Sequence, residues 1–183
     1  TRLSGTGATD GGHFLVAPTS GPVSKKQRHK GDTYRFSHRD EFAFPGYYAL
    51  LLPRDKIFVE LTATERVGIH RYTFPEGVEP HIYIDVSSAL GDARSSEASV
   101  SIDPERGEAE GSVRTFGSFG GRYGGAKVYF VARFDREFKS YGCWNEQVFL
   151  RDQTQAEGED IGIGLDFANS DAPSTLGLKL AIS

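Results

Sequence analysis

The chain has 183 residues, room for one domain and too little for two ordinary ones. Hydrophobic residues make up 38% and charged residues 25%, the composition of a globular domain with a sizeable core rather than of a disordered chain. With 21 basic against 25 acidic side chains the net charge is −4, which lacks the basic surplus of a nucleic-acid binder. No apolar run approaches the ~18 residues of a membrane helix, and a single cysteine leaves no internal disulfide. Neither a nucleic acid nor a membrane is therefore expected as a partner. The chain begins at Thr1 and contains no methionine or visible signal peptide, so it reads as a fragment of something larger.

The 22 glycines are spread along the chain, and the eight prolines mostly fall between apolar runs. Proline has no N–H for a sheet ladder, so this placement marks strand ends. The basic stretch Ser20–Asp32 reads as an exposed loop. Tyr47–Leu52 is apolar on both faces and reads as a central strand. In Lys56–Thr64, Ile57, Val59, Leu61 and Ala63 share one face. His70 lies in the next strand, where a hydrogen-bonded structural role suits it better than catalysis. In His81–Ser87, Ile82, Ile84 and Val86 alternate with polar or amphipathic residues. The acidic stretch DPERGEAEG reads as a loop without calcium-loop spacing. The Gly117–Gly125 stretch, GSFGGRYGG, lacks the Lys-Ser/Thr and following helix of a phosphate loop, so it reads as a hairpin or bulge loop with Phe119 and Tyr123 against the sheet edge.

Farther on, Val128, Phe130, Ala132 and Phe134 alternate within Lys127–Phe134. Cys143 reads as a half-buried structural thiol. Its neighbour Trp144, the only tryptophan, stands in the polar turn YGCWNEQ, where an exposed indole would stack on a sugar ring and a buried one would pack the core. Asp152–Asp160 reads as an acidic loop. Ile161, Ile163, Leu165 and Phe167 form one face of a strand, and Leu176, Leu178, Leu180 and Ile182 one face of the last. Half-buried strands at short spacing, with no helical period over 12 or more residues, argue for an all-β sandwich over residues 1–183. Five scattered histidines and one cysteine form no zinc spacing, and no carboxylate pair announces itself. The chemistry of the residues stops at an all-β domain, with carbohydrate as one candidate ligand.

The order of several motifs goes further. Arg2-Leu3-Ser4-Gly5-Thr6-Gly7 opens the chain; F-S-H-R-D-E-F-A-F-P-G-Y-Y runs from Phe36 to Tyr48; E-L-T-A-T-E-R-V-G-I-H-R-Y-T-F-P runs from Glu60 to Pro75; Lys127-Val128-Tyr129-Phe130 follows with Phe134 and Phe138. Together they resemble the N-terminal domain of glycoside hydrolase family 92, the calcium-dependent exo-acting α-mannosidases. The resemblance implies a large antiparallel β-sandwich of the galactose-mutarotase-like supersandwich type. It implies that the chain lacks the first part of that sandwich and the (α/α)6 barrel that follows. It places the catalytic acid, the base and the calcium ligands mostly in that barrel, and so implies no catalytic or metal-binding residue in this chain. The partners it implies are that barrel and mannosides. The implied location is extracellular or periplasmic in a bacterium, with an export signal upstream.

Two departures stand out. Arg2 takes the place of a usual histidine, and Ala49 that of a β-branched residue. The resemblance places Arg2, Ser4 and Thr6 at the edge of a mannose pocket, and Trp144 is the fourth expected contact. The implied role is a wall of that pocket in an inverting α-1,2-mannosidase, the chain being inactive alone. Two rivals are a stand-alone carbohydrate-binding, lectin-like sandwich and a purely structural interaction domain.

Overall fold

Glycine, proline and short polar turns divide the chain into strands, and the strands assort into two antiparallel sheets. The computed structural model describes residues 9–22, 36–146 and 148–183. Among them lie β1 (Leu15–Thr19), β2 (Glu41–Phe44), β3 (Tyr47–Leu52), β4 (Ile57–Ala63), β5 (Val67–Phe74), β6 (His81–Asp85) and β7 (Arg94–Asp103). The series continues with β8 (Glu108–Phe116), β9 (Ala126–Phe134), β10 (Ser140–Asn145), β11 (Val148–Arg151), β12 (Gln155–Gly158), β13 (Ile161–Asp166) and β14 (Ser174–Ile182). The smaller sheet has the order β1-β6-β13-β10-β11, the larger β12-β7-β8-β9-β14-β5-β4-β3-β2. The expected all-β sandwich is what forms.

The core lies between the sheets. Ile84, Ile163 and Cys143 point inward from neighbouring strands of the smaller sheet, and Tyr72, Leu178 and Phe130 meet them from the larger. Each such fully buried large apolar side chain contributes about 1.5–3 kcal/mol. At one end Phe134, Phe138 and Phe167 close the core, with ring centroids 5.5–5.6 Å apart.

The motif blocks build hairpins. Phe44 pairs with Tyr47 across Pro45-Gly46, and Gly46 has φ +85°, a value that suits glycine and no branched side chain. Glu41 accepts from Tyr48 Oη at 2.8 Å and pairs with His38 Nδ1 at 2.7 Å. Burial and that carboxylate push the Tyr48 phenol up to about 12. In the next hairpin Arg71 grips Glu60 through two hydrogen bonds of 2.6 Å, and Tyr47 Oη donates to the same carboxylate at 2.7 Å.

Several local expectations need correcting. Tyr47–Leu52 is not central: β3 lies one strand from the edge, and Ala49 on its outer side is covered. The acidic loop expected over Asp152–Asp160 contains β12, which pairs with β7. The stretch DPERGEAEG is a turn followed by the start of β8, and the β7–β8 pair escaped notice because its outward face is serine and glutamate. The supposed turn around Trp144 is strand β10. Finally, β6 and β13 are buried along every residue, so the middle of the smaller sheet is covered on both faces rather than half-buried. The basic loop Ser20–Asp32 lies mostly outside the described residues.

Candidate functional site

Two glycine-bearing segments meet at one end of the sandwich, and two side chains join them. Asp10 accepts from the backbone N–H of Phe119 through Oδ2 and of Gly120 through Oδ1, each at 2.9 Å. These two amides hold the Asp10 carboxyl below the usual carboxylate range. Beside it Thr9 Oγ1 lies 2.9 Å from Ser118 Oγ and accepts from Ser118 N at 3.1 Å. The stretch Gly117–Gly125 is therefore a fixed loop. It makes one 3-10 turn over Gly120–Tyr123 and closes with Gly125 N donating to Gly120 O at 2.9 Å. Glycine is required at 117, because a Cβ there would run into the Asp10 carboxylate.

The loop presents its aromatic side chains outward. Phe119 is 62% and Tyr123 86% exposed, so neither packs against the sheet edge as expected from sequence. The Arg122 guanidinium lies 5.8 Å from the Phe119 ring centre. Flat apolar faces beside a cation are suited to one face of a sugar ring or to a neighbouring protein surface.

A second polar group crosses the outer face of the smaller sheet. His81 Nδ1 lies 2.6 Å from Asp166 Oδ1, and Ser140 Oγ donates to Asp166 Oδ2 at 2.5 Å. Burial alone would raise the Asp166 carboxyl, but the two hydrogen bonds outweigh it and hold it below its ordinary value. The serine hydroxyl is spent on the carboxylate and not on the imidazole, so this is not a serine–histidine relay. It ties β6, β13 and β10 together.

Of the four residues expected to touch substrate, Arg2, Ser4 and Thr6 lie outside the described residues. Trp144 is described, and it is 0% exposed. The six-membered ring of its indole lies against Gly162 of the neighbouring strand, where any Cβ would collide with it. Ala17, Tyr83, Leu15 and Phe149 pack around it. The exposed stacking platform is thus replaced by a core residue on the outer face of the smaller sheet. Its Nε1–H has no hydrogen-bond partner among the described residues.

Cys143 is fully buried, and burial pushes its thiol up to about 12, so it stays protonated and inert. His70 is buried beside Tyr72, with Nδ1 2.7 Å from the phenol oxygen, and this is the structural role expected. Among the described residues no three His, Cys, Asp or Glu side chains converge on a cation site. Sequence reasoning missed the Asp10 anchor and the His81–Asp166 pair. The only available signal was the glycine density of the two loops, which says that something approaches closely but not what.

The model of the glycosyl hydrolase family 92 N-terminal domain matches residues 1–183. The chain belongs to that family. Solved structures agree with it. The family 92 α-mannosidase BT3965 of Bacteroides thetaiotaomicron, solved with mannoimidazole, is 27% identical at a TM-score of 0.84, over 100% of this chain and 25% of that one. The family 92 hydrolase ccman5 is 30% identical at 0.79, with the same coverage. The inverting mannosidase BT2199 of B. thetaiotaomicron, at 24% identity and a TM-score of 0.75, shares the fold over 93% of this chain. The chain spans about a quarter of the length of these family 92 proteins. No curated protein matches it.

Within family 92, the motif blocks of this chain have structural work. The F-S-H…P-G-Y-Y and E-L-T-A-T…H-R-Y-T-F-P stretches build two hairpins whose polar side chains bind one another.

Proposed function

We propose that this chain is the N-terminal domain of an exo-acting, inverting α-1,2-mannosidase, packing on a catalytic barrel in the same polypeptide and forming one wall of a mannose pocket. The observation that carries the reading is the family 92 match over the whole chain, with an α-mannosidase at a TM-score of 0.84. Thr9 and Asp10 directly follow the segment that holds Arg2, Ser4 and Thr6. Pinning the Gly117–Gly125 loop to that segment's end makes a rigid support. Rigid positioning of a sugar relative to distant carboxylates is what a second domain contributes to catalysis.

On this reading the acid, the base and calcium belong to the barrel. Among the described residues of this chain no three His, Cys, Asp or Glu side chains converge to hold such an ion. The role of this chain is to orient the sugar and exclude water from one side. The intact protein is on the same reading an exported bacterial hydrolase, extracellular or periplasmic.

The test is mannose release from α-1,2-mannobiose by the intact gene product, with and without a chelator. Release abolished by chelation is expected, and no release by the intact product overturns the reading. In the same protein Asp10→Ala should lower kcat/KM about tenfold or more by freeing the loop. Far-UV circular dichroism should be unchanged. Unaltered kinetics would remove the loop from the pocket wall.

A further inference from the structure

The larger sheet ends in β2, whose last three residues are apolar on both sides. In β2, Phe42 is 61% and Phe44 53% exposed, and Ala43 between them is exposed on the opposite face. Phe42 and Phe44 touch edge to face at 5.5 Å, and Phe44 stacks on Tyr47 at 5.1 Å. Leu51 and Phe58, a cross-strand pair, extend this outer apolar face. On the inner side a groove of about 490 Å³ runs from the same edge, lined by Tyr48, Leu61, Leu180 and Ile182. It exists because five strands cannot cover nine.

Among the described residues β2 pairs with β3 alone. Glu41 opens this strand and Pro45 follows it, but the three residues between them, Phe42-Ala43-Phe44, carry no charge and no proline. An apolar, uncharged edge is a template for further pairing and in isolation a site of aggregation. The two family 92 proteins matched over a quarter of their length are about four times as long as this chain, so most of each lies outside the matched region.

We infer that β2 and its groove form a docking surface for an apolar segment of the same polypeptide outside residues 1–183, which pairs with the β2 edge and fills the groove. This rests on the proposed place of the chain in a longer family 92 enzyme and names the surface that meets the remainder.

The experiment uses the intact gene product with p-benzoylphenylalanine in place of Phe44. Irradiation should cross-link it to a peptide outside residues 1–183 of the same molecule. Cross-links only within 1–183, or between isotopically distinct copies, would overturn the inference, the latter by making a second copy the occupant. As a readout without a probe, the β2 amides that point away from β3 should exchange hydrogen at least about a hundredfold more slowly than free amides. Phe42→Ser with Phe44→Ser should return them to free rates. Fast exchange in the unsubstituted protein counts against pairing. Mannose release by the same sample separates the two ideas: release with an unprotected β2 sinks the docking surface alone, and protection without release sinks the activity alone.

Discussion

Trp144→Ala is expected to destabilise the domain by about 3 kcal/mol, the low end of the range for removing a buried aromatic. The indole is among the largest fully buried side chains among the described residues and lies against Gly162. Removing it leaves a cavity among Ala17, Tyr83, Leu15 and Phe149. The low end applies because the lost Nε1–H has no hydrogen-bond partner among the described residues, and discarding a buried unsatisfied donor returns part of the cost. Gly162→Val should be destabilising from the opposite direction, because its side chain needs the volume the indole occupies and also meets Ile84 O. The two substitutions combined should cost less than their sum. Urea unfolding followed by far-UV circular dichroism measures all three. A loss under about 1 kcal/mol for Trp144→Ala would mean that the ring is not packed in this way.

The domain is also expected to lose stability as the pH falls from 6.5 to about 4. Burial lowers the His70 imidazole to about 4 from an ordinary 6.5. Between those values the unfolded chain binds a proton at this position and the folded one does not, so stability falls as pH falls. The full effect is on the order of 3 kcal/mol and levels off below about 4. His13, lowered by burial as well, acts with the same sign. The carboxylates held low by hydrogen bonds, Asp10, Glu60 and Asp166, have the same sign in a different window. Their stabilisation is complete above the ordinary carboxylate value and disappears as pH drops through the folded value, so it adds acid sensitivity mainly below the histidine window. His70→Gln should flatten the change in urea midpoint between pH 6.5 and 4.5 while leaving the behaviour below pH 4. An unchanged slope in that variant would assign the effect to another group.

Local pattern was enough to identify much of the fold. The inward faces of β4, β6, β9, β13 and β14 are the residues that alternation selects, since a strand repeats every two residues whatever lies around it. The strands it missed show why it fails. In β7 and β8 the outward residues are serine and glutamate and the inward ones include alanine, so the contrast between faces is small. In β10 a polar surround suggested a turn at Trp144, although the strand simply carries glycine and asparagine beside its aromatic. The family could be recognised because two long motif blocks encode hairpins whose contacts are close in sequence, such as Glu60 with Arg71 across 11 residues.

The candidate site was much less legible, because its bonds join distant residues. Asp10 meets Gly120 across 110 positions, and His81 meets Asp166 across 85. No spacing rule reaches that far. Alternation separates the two faces of a strand but does not say whether the second face meets water or a further layer. For Trp144 that difference separates a sugar platform from a core residue, and it depends on what the rest of the chain lays over the smaller sheet. Sequence alone establishes the all-β class and the family, since both rest on short-range pattern and motif order. Burial, and with it the role of each aromatic and acidic side chain, comes from how the two sheets and their loops pack in three dimensions.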